Sequence, residues 1–386
     1  MQAKVYLLER LQIMSYLHTL FYNVVPFLIV LSFLVFIHEL GHYLLAKMNK
    51  VRVEVFSIGF GKEIVGWTDK SGTRWKISIL PLGGYVRMFS DANAASQPDA
   101  EAIRIMTEEE KAVSLFHKNV WQRISISAAG PLANYILAIV LFTFLYSTVG
   151  QRIPTTDATI GAVISNHPAA IAGLKEGDKI VSLDDTAISN FKDVLLYINE
   201  KANVPVKFTV NRGDETLNFT VTPEAKVDHG KTVGRVGMAQ GFERKILNPF
   251  DAFASGVSDT INVTVATLKS IGRMLTGQQS ADGLSGPLGI ASMVSDVAQK
   301  NLSDLIELAA FLSVSLGLLN FFPIPMLDGG HLLFYFIEAI RGKPVSERAQ
   351  EIAYRIGFAL LMTLVVFTTW NDLSRLKIVT YIKNLF

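Results

Sequence analysis

The 386-residue chain contains no cysteine. Disulfide bonds and thiolate metal ligands are therefore excluded, and a tightly bound metal ion would need histidine and carboxylate ligands. An excess of charge of one sign is also lacking, because 36 Lys and Arg residues balance 34 Asp and Glu residues to a net charge of +2. No basic run interleaved with aromatic residues is present, so nucleic acid is not an expected partner.

Charged residues are scarce and apolar residues are abundant. Charged side chains make up 18% of the chain and hydrophobic ones 50%, and the mean hydropathy is +0.33. The hydrophobic share and the mean hydropathy exceed what a soluble enzyme usually shows. The composition therefore predicts a membrane protein.

Four segments are candidates to cross a bilayer, which needs about 20 apolar residues. They are residues 11–37, Ile124–Gln151, Leu308–Leu327 and Ile356–Trp370. The last is short and spans only if its polar flanks reach the interfaces. A cleaved signal peptide is the alternative for the first, but no small-residue cleavage pattern follows this long run. Residues 1–20 are either an interfacial helix or the beginning of the first span.

The distribution of Lys and Arg predicts the orientation in the membrane. Many basic residues lie between the first two spans, and four more lie between the last two. Because cytoplasmic loops carry an excess of Lys and Arg, both loops should be cytoplasmic. The N-terminus, the C-terminus and residues 152–300 are then on the outer face of a membrane that the chain crosses several times.

The segment that begins at Thr159 has the pattern of a small α+β domain. A strand is predicted at Lys179–Leu183, and Asn211–Gly213 fits a hairpin turn between VKFTV and LNFTV. The order of elements and the phrase HPAAIAGLKEGD resemble a PDZ domain over about 70 residues. Such domains capture extended peptides at an open sheet edge. A generic small β domain without a binding role is the alternative.

A second β-rich segment, Val51–Met88, precedes the second span. Its alternating runs are broken by Gly59 and Gly61 and by the pair Gly83 and Gly84. We expect β-hairpins close to the membrane. Their edge could hold an unfolded substrate strand, and an ordinary amphipathic hairpin is the alternative.

Two further segments carry no visible chemistry. Residues 89–111 have the composition of a polar, mobile linker. Residues 249–276 have apolar residues at helical spacing. This predicted helix either lies on the outer membrane surface or packs against the PDZ-like domain.

The segment LSFLVFIHELGHYLLAK contains an HExxH motif formed by His38, Glu39 and His42. The i, i+4 spacing places both imidazoles on one helical face, where they can bind one metal ion beside Glu39. Polar residues at the end of an apolar run are costly in lipid unless they are paired or metal-bound. The alternative is an incidental polar turn at the cytoplasmic end of a helix.

A tetrahedral catalytic zinc needs a third protein ligand. Asp328 follows the third apolar run in GLLNFFPIPMLDGGHLLF, where prolines and glycines should break the helix at membrane depth. Broken helices are tolerated there when they line a polar cavity. Asp328 as a helix cap is one alternative, and His331 as the ligand is another.

These motifs together resemble the site-2 protease family, and most closely its bacterial regulator-of-sigma-E protease type. The resemblance is carried by HELGH, GFG, AAGPLAN, the PDZ-like segment and NFFPIPMLDGG, in this order along nearly the whole chain. It implies a zinc ion held by His38, His42 and Asp328, with Glu39 as the catalytic acid and base. It further implies that Asn320 holds substrate near the metal.

The resemblance also implies an intramembrane zinc metalloprotease that cleaves single-span membrane proteins, such as anti-sigma factors or signal-peptide remnants. The PDZ-like domain would control their access, and Gly59, Phe60, Gly61, Gly83 and Gly84 would contact them. Some family members carry two PDZ domains, but only one is evident here. A metal transporter and an inactive peptide-binding scaffold are the rival functions.

The predicted fold is a polytopic α-helical membrane protein with about four transmembrane helices, a membrane-associated β-hairpin region and one periplasmic PDZ-like α+β domain. The expected regions are the first span with HExxH (1–48), the hairpin loop and linker (49–120), the second span (121–151), the PDZ-like domain (152–226), a periplasmic connector with an amphipathic helix (227–300), the third span with the LDG motif (301–330) and the fourth span with its flanks (331–386).

Overall fold

The computed structural model describes residues 22, 24–91, 105–228 and 231–375. The predictions for residues 1–20 and for the central part of the linker, 92–104, lie outside the described residues. The chain divides into two compact units. The helical unit contains the residues up to Leu145 and those from Pro249 onward, and the β-rich unit contains Tyr146–Asn248.

The described helices and strands follow one another in this order: α1 Val25–Met48, β1 Val53–Thr68, β2 Arg74–Met88, α2 Glu108–Val113, α3 Val120–Thr148, β3 Gln151–Pro154, β4 Ile160–Val163, α4 Pro168–Ala172, β5 Lys179–Leu183, β6 Thr186–Ala187, α5 Phe191–Asn199, β7 Val206–Arg212, β8 Glu215–Val221, β9 Glu224–Asp228, β10 Lys231–Arg235, β11 Met238–Gln240, β12 Phe242–Lys245, α6 Pro249–Leu275, α7 Pro287–Ala298, α8 Leu302–Phe321, α9 Asp328–Arg341 and α10 Glu347–Arg375.

Helices α1, α3, α8 and α10 are long and apolar enough to cross a membrane. The sequence predicted four such helices, but the bounds of all four differ from the prediction. Helix α1 continues past the predicted residue 37 to Met48, and α3 runs from Val120 to Thr148 where Ile124–Gln151 was predicted. Helix α10 extends beyond the predicted Ile356–Trp370 because polar turns continue it at both ends. Helix α8 begins before the predicted Leu308 and ends at Phe321, just ahead of Pro323 and Pro325, which have no backbone N–H to continue it.

Four helices of the helical unit pack against one another through a shared apolar cluster. It joins α1, α3, α7 and α8 through Val30, Leu34, Leu137, Val294 and Ala309. Helices α1 and α3 approach each other so closely that a Cβ added to Gly41 would lie 2.3 Å from the Ala129 carbonyl oxygen. Small residues permit such close backbone approach between membrane helices.

Helix α6 packs against other helices of the helical unit. Its buried residues Ala252, Gly256 and Thr260 recur every four positions and form one face. A Cβ at Gly256 would lie 3.1 Å from the Ile139 carbonyl oxygen of α3, and α6 also contacts α8. The small side chains on this face explain the packing, because they let α6 lie directly against other helices.

Strands β1 and β2 form one doubled-back sheet in place of separate hairpins. Residues 55–58 of β1 pair with 74–77 on one side and with 84–87 on the other. The second half of β1, from Glu63, pairs with the first half of β2. Gly59 and Gly61 make the bend possible, because their φ angles of 88° and 87° lie in the left-handed region that favours glycine.

The linker prediction is wrong for its described C-terminal part. Residues Glu108–Val113 form helix α2, which begins with a capping box between Thr107 and Glu110. The Thr107 hydroxyl accepts from the Glu110 backbone N–H, and the Glu110 carboxylate accepts from the Thr107 backbone N–H. This reciprocal pair stabilises a short helix in a segment whose polar composition suggested none.

The β-rich unit contains a four-stranded antiparallel sheet in the order β6-β5-β7-β8. Strand β5 has the predicted bounds, and β7 and β8 are joined by the predicted turn, in which Gly213 has a φ angle of 62°. Short strand pairs β3–β12, β4–β11 and β9–β10 surround the sheet. Its core includes Ile180, Val194 and Phe208 from the sheet and from helix α5.

An ion pair between Arg212, at the end of β7, and the buried Asp178, directly before β5, connects two parts of this unit. The Arg212 guanidinium donates to both carboxylate oxygens of Asp178, at 2.7 and 2.9 Å, and to the Gly173 carbonyl oxygen. Burial raises the pKa of Asp178, but hydrogen bonds from Arg212 and from the Lys175 backbone N–H together hold it below its usual value. Asp178 therefore stabilises the unit when it is ionised.

We expect Arg212→Leu to destabilise the β-rich unit by roughly 3 kcal/mol. This is the lower end of the range for breaking a buried pair, because Arg212 is 31% exposed. The stability that the native pair provides should be present above the unfolded Asp pKa of about 3.9 and lost as pH falls below it. Limited proteolysis of the full chain between pH 3 and 7 measures both effects. The exposed Lys192→Leu is the control, and equal digestion of the two variants at pH 7 would contradict the prediction.

Candidate active site

The HExxH residues lie in the interior of the helical unit on α1. His38, Glu39 and His42 expose only 8%, 9% and 8% of their surface. The helical spacing brings the Nε2 atoms of His38 and His42 to 3.3 Å. One helix thus presents two imidazole nitrogens to a single point.

Asp328 completes this group from a different part of the chain. It is the first residue of α9, and its Oδ2 and Oδ1 lie 3.1 Å from His38 Nε2 and 3.2 Å from His42 Nε2. The helix break between α8 and α9 places it there. Added Cβ atoms at Gly329 and Gly330 would lie 2.1 Å from the Phe322 carbonyl oxygen and 2.6 Å from the Ile324 carbonyl oxygen. Only glycine therefore lets α9 begin so close to the proline-rich turn.

The three side chains fit a zinc ion. One ligand atom from each of His38, His42 and Asp328 lies within 4.8 Å of the others. Two imidazole nitrogens and a carboxylate oxygen are a common ligand set for catalytic zinc, which keeps its fourth position open. The buried Oδ2 of Asp328 lies 3.1 Å from His38 Nε2, but it accepts no hydrogen bond of regular geometry from the described residues. A bound cation would provide a partner for this oxygen.

Helix α3 forms the wall behind the two histidines. The Nδ1 atom of His42 lies 2.8 Å from the Ile126 carbonyl oxygen, and that of His38 lies 3.0 Å from the Asn134 side-chain amide. A Cβ at Gly130 would lie only 2.2 Å from His42 Nε2. The sequence prediction missed these contacts, although the segment AAGPLAN offered a signal: it places glycine and a polar Asn within an apolar span.

A cavity of about 540 Å³ opens beside the group. It is lined by Val35, His38, Glu39, His42, Phe60, Gly83, Gly84, Tyr85, Val86, Met88, Leu115, Ile126, Ser127, Leu316, Asn320, Met326, Leu327, Asp328, His331 and Tyr335. Of the predicted substrate residues, Phe60, Gly83, Gly84 and Asn320 reach this cavity. Gly59 and Gly61 are not among its lining residues, and they flank Phe60 in the bend of β1. His331 lines the wall but lies outside the ligand group found among the described residues.

The C-terminal half of β2 lies against Glu39. A Cβ at Gly84 would be 3.2 Å from Glu39 Cγ and 2.8 Å from Val35 Cγ1. Val86 of the same segment lines the cavity together with Glu39. The strand formed by residues 84–87 pairs with β1 along one edge. Gly84 of this strand packs against α1 and lines the cavity.

The sequence matches peptidase family M50 over residues 26–364. A putative zinc metalloprotease of Agrobacterium fabrum is 44% identical and covers 92% of this chain and 96% of its own length. The regulator of sigma-W protease RasP of Bacillus subtilis is 36% identical and covers 92% of this chain and 99% of its own length. The chain belongs to peptidase family M50, the site-2 proteases.

Membership of family M50 confirms the resemblance found in the sequence. The chain is a zinc metalloendopeptidase of the site-2 protease type and a multi-pass membrane protein. A solved PDZ domain of an SdrC-like protein from Listeria monocytogenes is 24% identical and covers 23% of this chain and 93% of that domain, with a TM-score of 0.20. The PDZ-like assignment of the β-rich unit stays a prediction.

We expect Gly130→Ala to weaken zinc binding by at least about tenfold, as loss of support behind a ligand does. The new methyl group would push on His42, which cannot retreat freely because its Nδ1 is held by the Ile126 carbonyl oxygen. Zinc retained by the purified protein against a chelator measures the effect. Gly272→Ala is the matched control, since a Cβ there meets nothing within 4 Å. Equal retention by the two variants would contradict the prediction.

Proposed function

We propose that this M50 protease hydrolyses a peptide bond within or near the transmembrane segment of single-span membrane proteins. The observation that carries the proposal is the group formed by His38, His42 and Asp328, with ligand atoms within 4.8 Å of one another and Glu39 beside them. The group is built on α1, which is long and apolar enough to span a bilayer. Substrate must therefore reach it from within the membrane.

In this proposal, the Nε2 atoms of His38 and His42 and a carboxylate oxygen of Asp328 hold the zinc ion. When bound, zinc supplies a Lewis acid that polarises the scissile carbonyl and makes water acidic enough to react near neutral pH. The helix break before Asp328 keeps that carboxylate at a fixed distance from α1. The three ligands leave one tetrahedral position open for the reaction.

Glu39 carries the proton in the proposed mechanism. Its carboxylate takes a proton from the attacking water and returns it to the nitrogen of the leaving amine. In this proposal, the backbone of Val86, which lines the cavity next to Glu39, orients this carboxylate. Burial beside α1 and β2 keeps bulk water from competing for the same hydrogen bonds.

The substrate segment must unwind before it is cut, because a helix engages each peptide carbonyl in its own hydrogen bonds. In this proposal, the part of β2 at Gly84 and Tyr85, which lines the cavity, receives an extended strand by backbone pairing. The other side of this segment is already paired with β1. Gly83 and Phe60 extend the same wall of the cavity.

Asn320 is the proposed contact for the substrate backbone. Its Nδ2 atom donates to the Leu316 carbonyl oxygen at 3.0 Å within helix α8. A side-chain amide has two N–H groups, so a second one is left for a substrate carbonyl oxygen or for the developing oxyanion. Asn320 lines the cavity together with Asp328.

The β-rich unit, as a PDZ-like domain, would control which substrates enter. We place it and both termini on the periplasmic side of a bacterial inner membrane, on the basis of the Lys and Arg distribution. One relative is named a regulator of sigma-W protease, which supports membrane-bound regulators of sigma factors as the substrate class. Signal-peptide remnants have the same single-span form.

Glu39→Gln should abolish cleavage of a tagged single-span substrate while zinc stays bound. Loss of the proton carrier lowers the rate by about 10²–10⁴-fold, whereas the three ligands are unchanged. Co-expression with substrate and the zinc content of the purified proteins provide the two measurements, and Glu347→Gln on α10 is the control. Cleavage by Glu39→Gln would contradict the role of Glu39. Zinc binding without cleavage by the native chain would favour a transporter, and absence of zinc would favour a scaffold.

Substrates with helix-breaking residues in their span should be cut faster. Each Ala→Gly change costs a helix about 1 kcal/mol, so two changes next to the cleaved bond should raise the rate by about 30-fold. Initial rates on a matched series of model substrates test this. The same two changes placed outside the span are the control, and equal rates for the whole series would contradict unwinding as a step.

A further inference from the structure

Asn134 on α3 has no role in the proposed mechanism, although it lies directly behind a zinc ligand. It is fully buried, and its side-chain amide lies 3.0 Å from His38 Nδ1. Ser313 of α8 donates to the Asn134 backbone carbonyl oxygen at 2.8 Å. The backbone of Asn134 on α3 is thus bonded to α8, and its side chain points toward His38 on α1.

The atoms around His38 determine which ring nitrogen carries the proton. Nε2 is the atom nearest to Asp328 and His42, so it is the nitrogen that a shared metal ion would bind. A ligating nitrogen has no proton, and the neutral ring then carries its proton on Nδ1. Nδ1 must then donate a hydrogen bond, and the atom facing it must be an acceptor.

The Asn134 side-chain amide contains both a hydrogen-bond acceptor, Oδ1, and a donor, Nδ2. Its Nδ2 is the atom at 3.0 Å from His38 Nδ1, and its buried Oδ1 has no hydrogen-bond partner among the described residues. The two ends of an amide have the same shape, and the hydrogen bonds around them decide which end points where. Turning the amide by 180° places Oδ1 as the acceptor for the Nδ1 proton.

We propose that Asn134 is a positioning residue for the zinc site, whose side-chain oxygen accepts the Nδ1 proton of His38 and so keeps Nε2 free to bind the metal. This inference rests on the zinc site of the proposed function. His42 obtains the same support from the Ile126 backbone carbonyl oxygen, which no side-chain substitution removes. The two histidines are therefore supported by different means, and only the support of His38 can be removed by substitution.

The test compares two replacements of similar size. Asn134→Leu removes the acceptor, and loss of such a partner typically weakens metal binding about 10–100-fold. Asn134→Asp keeps an acceptor at the same place, so zinc binding should stay within a few fold of the native value or become tighter. If Asn134 only filled space, the buried carboxylate of Asn134→Asp would harm the site at least as much as leucine does.

Zinc affinity of the purified full chain, measured by competition with a chelator, is the main readout. The absorption spectrum of the Co²⁺-substituted protein is the second, because it reports the ligand geometry independently of catalysis. Asn134→Leu should bind zinc weakly and change the Co²⁺ spectrum, and Asn134→Asp should restore both. Native affinity in Asn134→Leu, or equally weak binding in the two variants, would overturn the proposal.

Two controls separate this inference from the zinc site on which it rests. His38→Ala removes a ligand, so equal zinc affinity of native protein and His38→Ala would overturn both the proposed site and this inference. A loss in His38→Ala together with native affinity in Asn134→Leu would overturn only the role of Asn134. If Asn134→Leu does not fold, Asn134→Asp decides by itself: affinity at or above the native value supports the proposal, and weaker binding overturns it.

Discussion

The fold of the helical unit depends on one constraint: polar side chains within an apolar environment must have partners. His38, His42 and Asp328 meet because α1 and α9 converge, and α3 supplies partners to the far side of both imidazoles. The backbones approach this closely only where side chains are absent, at Gly41 and Gly130. The chemistry of the site and the packing of the helices are thus set by the same contacts.

The site was predictable from sequence wherever its geometry is local. The spacing of His38 and His42 fixes their relation on any helix. The prolines before Asp328 and the glycines after it predicted the helix break that the structure contains. The family followed from several motifs in order, and the match to peptidase family M50 confirms it. The roles of the individual residues stay predictions.

The parts that were missed depend on contacts between segments distant in the chain. Alternation in β1 and β2 predicts strands, but it does not say that residues 55–58 pair on both sides. The apolar periodicity of α6 likewise predicts a helix without naming α3 and α8 as its neighbours. The contact between Asn134 and His38 joins residues 96 positions apart; the segment AAGPLAN marks Asn134 as a polar residue within an apolar span, but it does not identify His38 as the partner.

The doubled sheet also bears on how the protease selects a bond. Because 55–58 are held between two segments, the segment beside Glu39 cannot slide along its partner without breaking pairs on both sides. A strand added to that segment would be recognised mainly through its backbone, at a fixed offset from the catalytic group. In the proposed mechanism, such a site would fix how far along an unwound strand the cut falls and would accept many different side chains at that position.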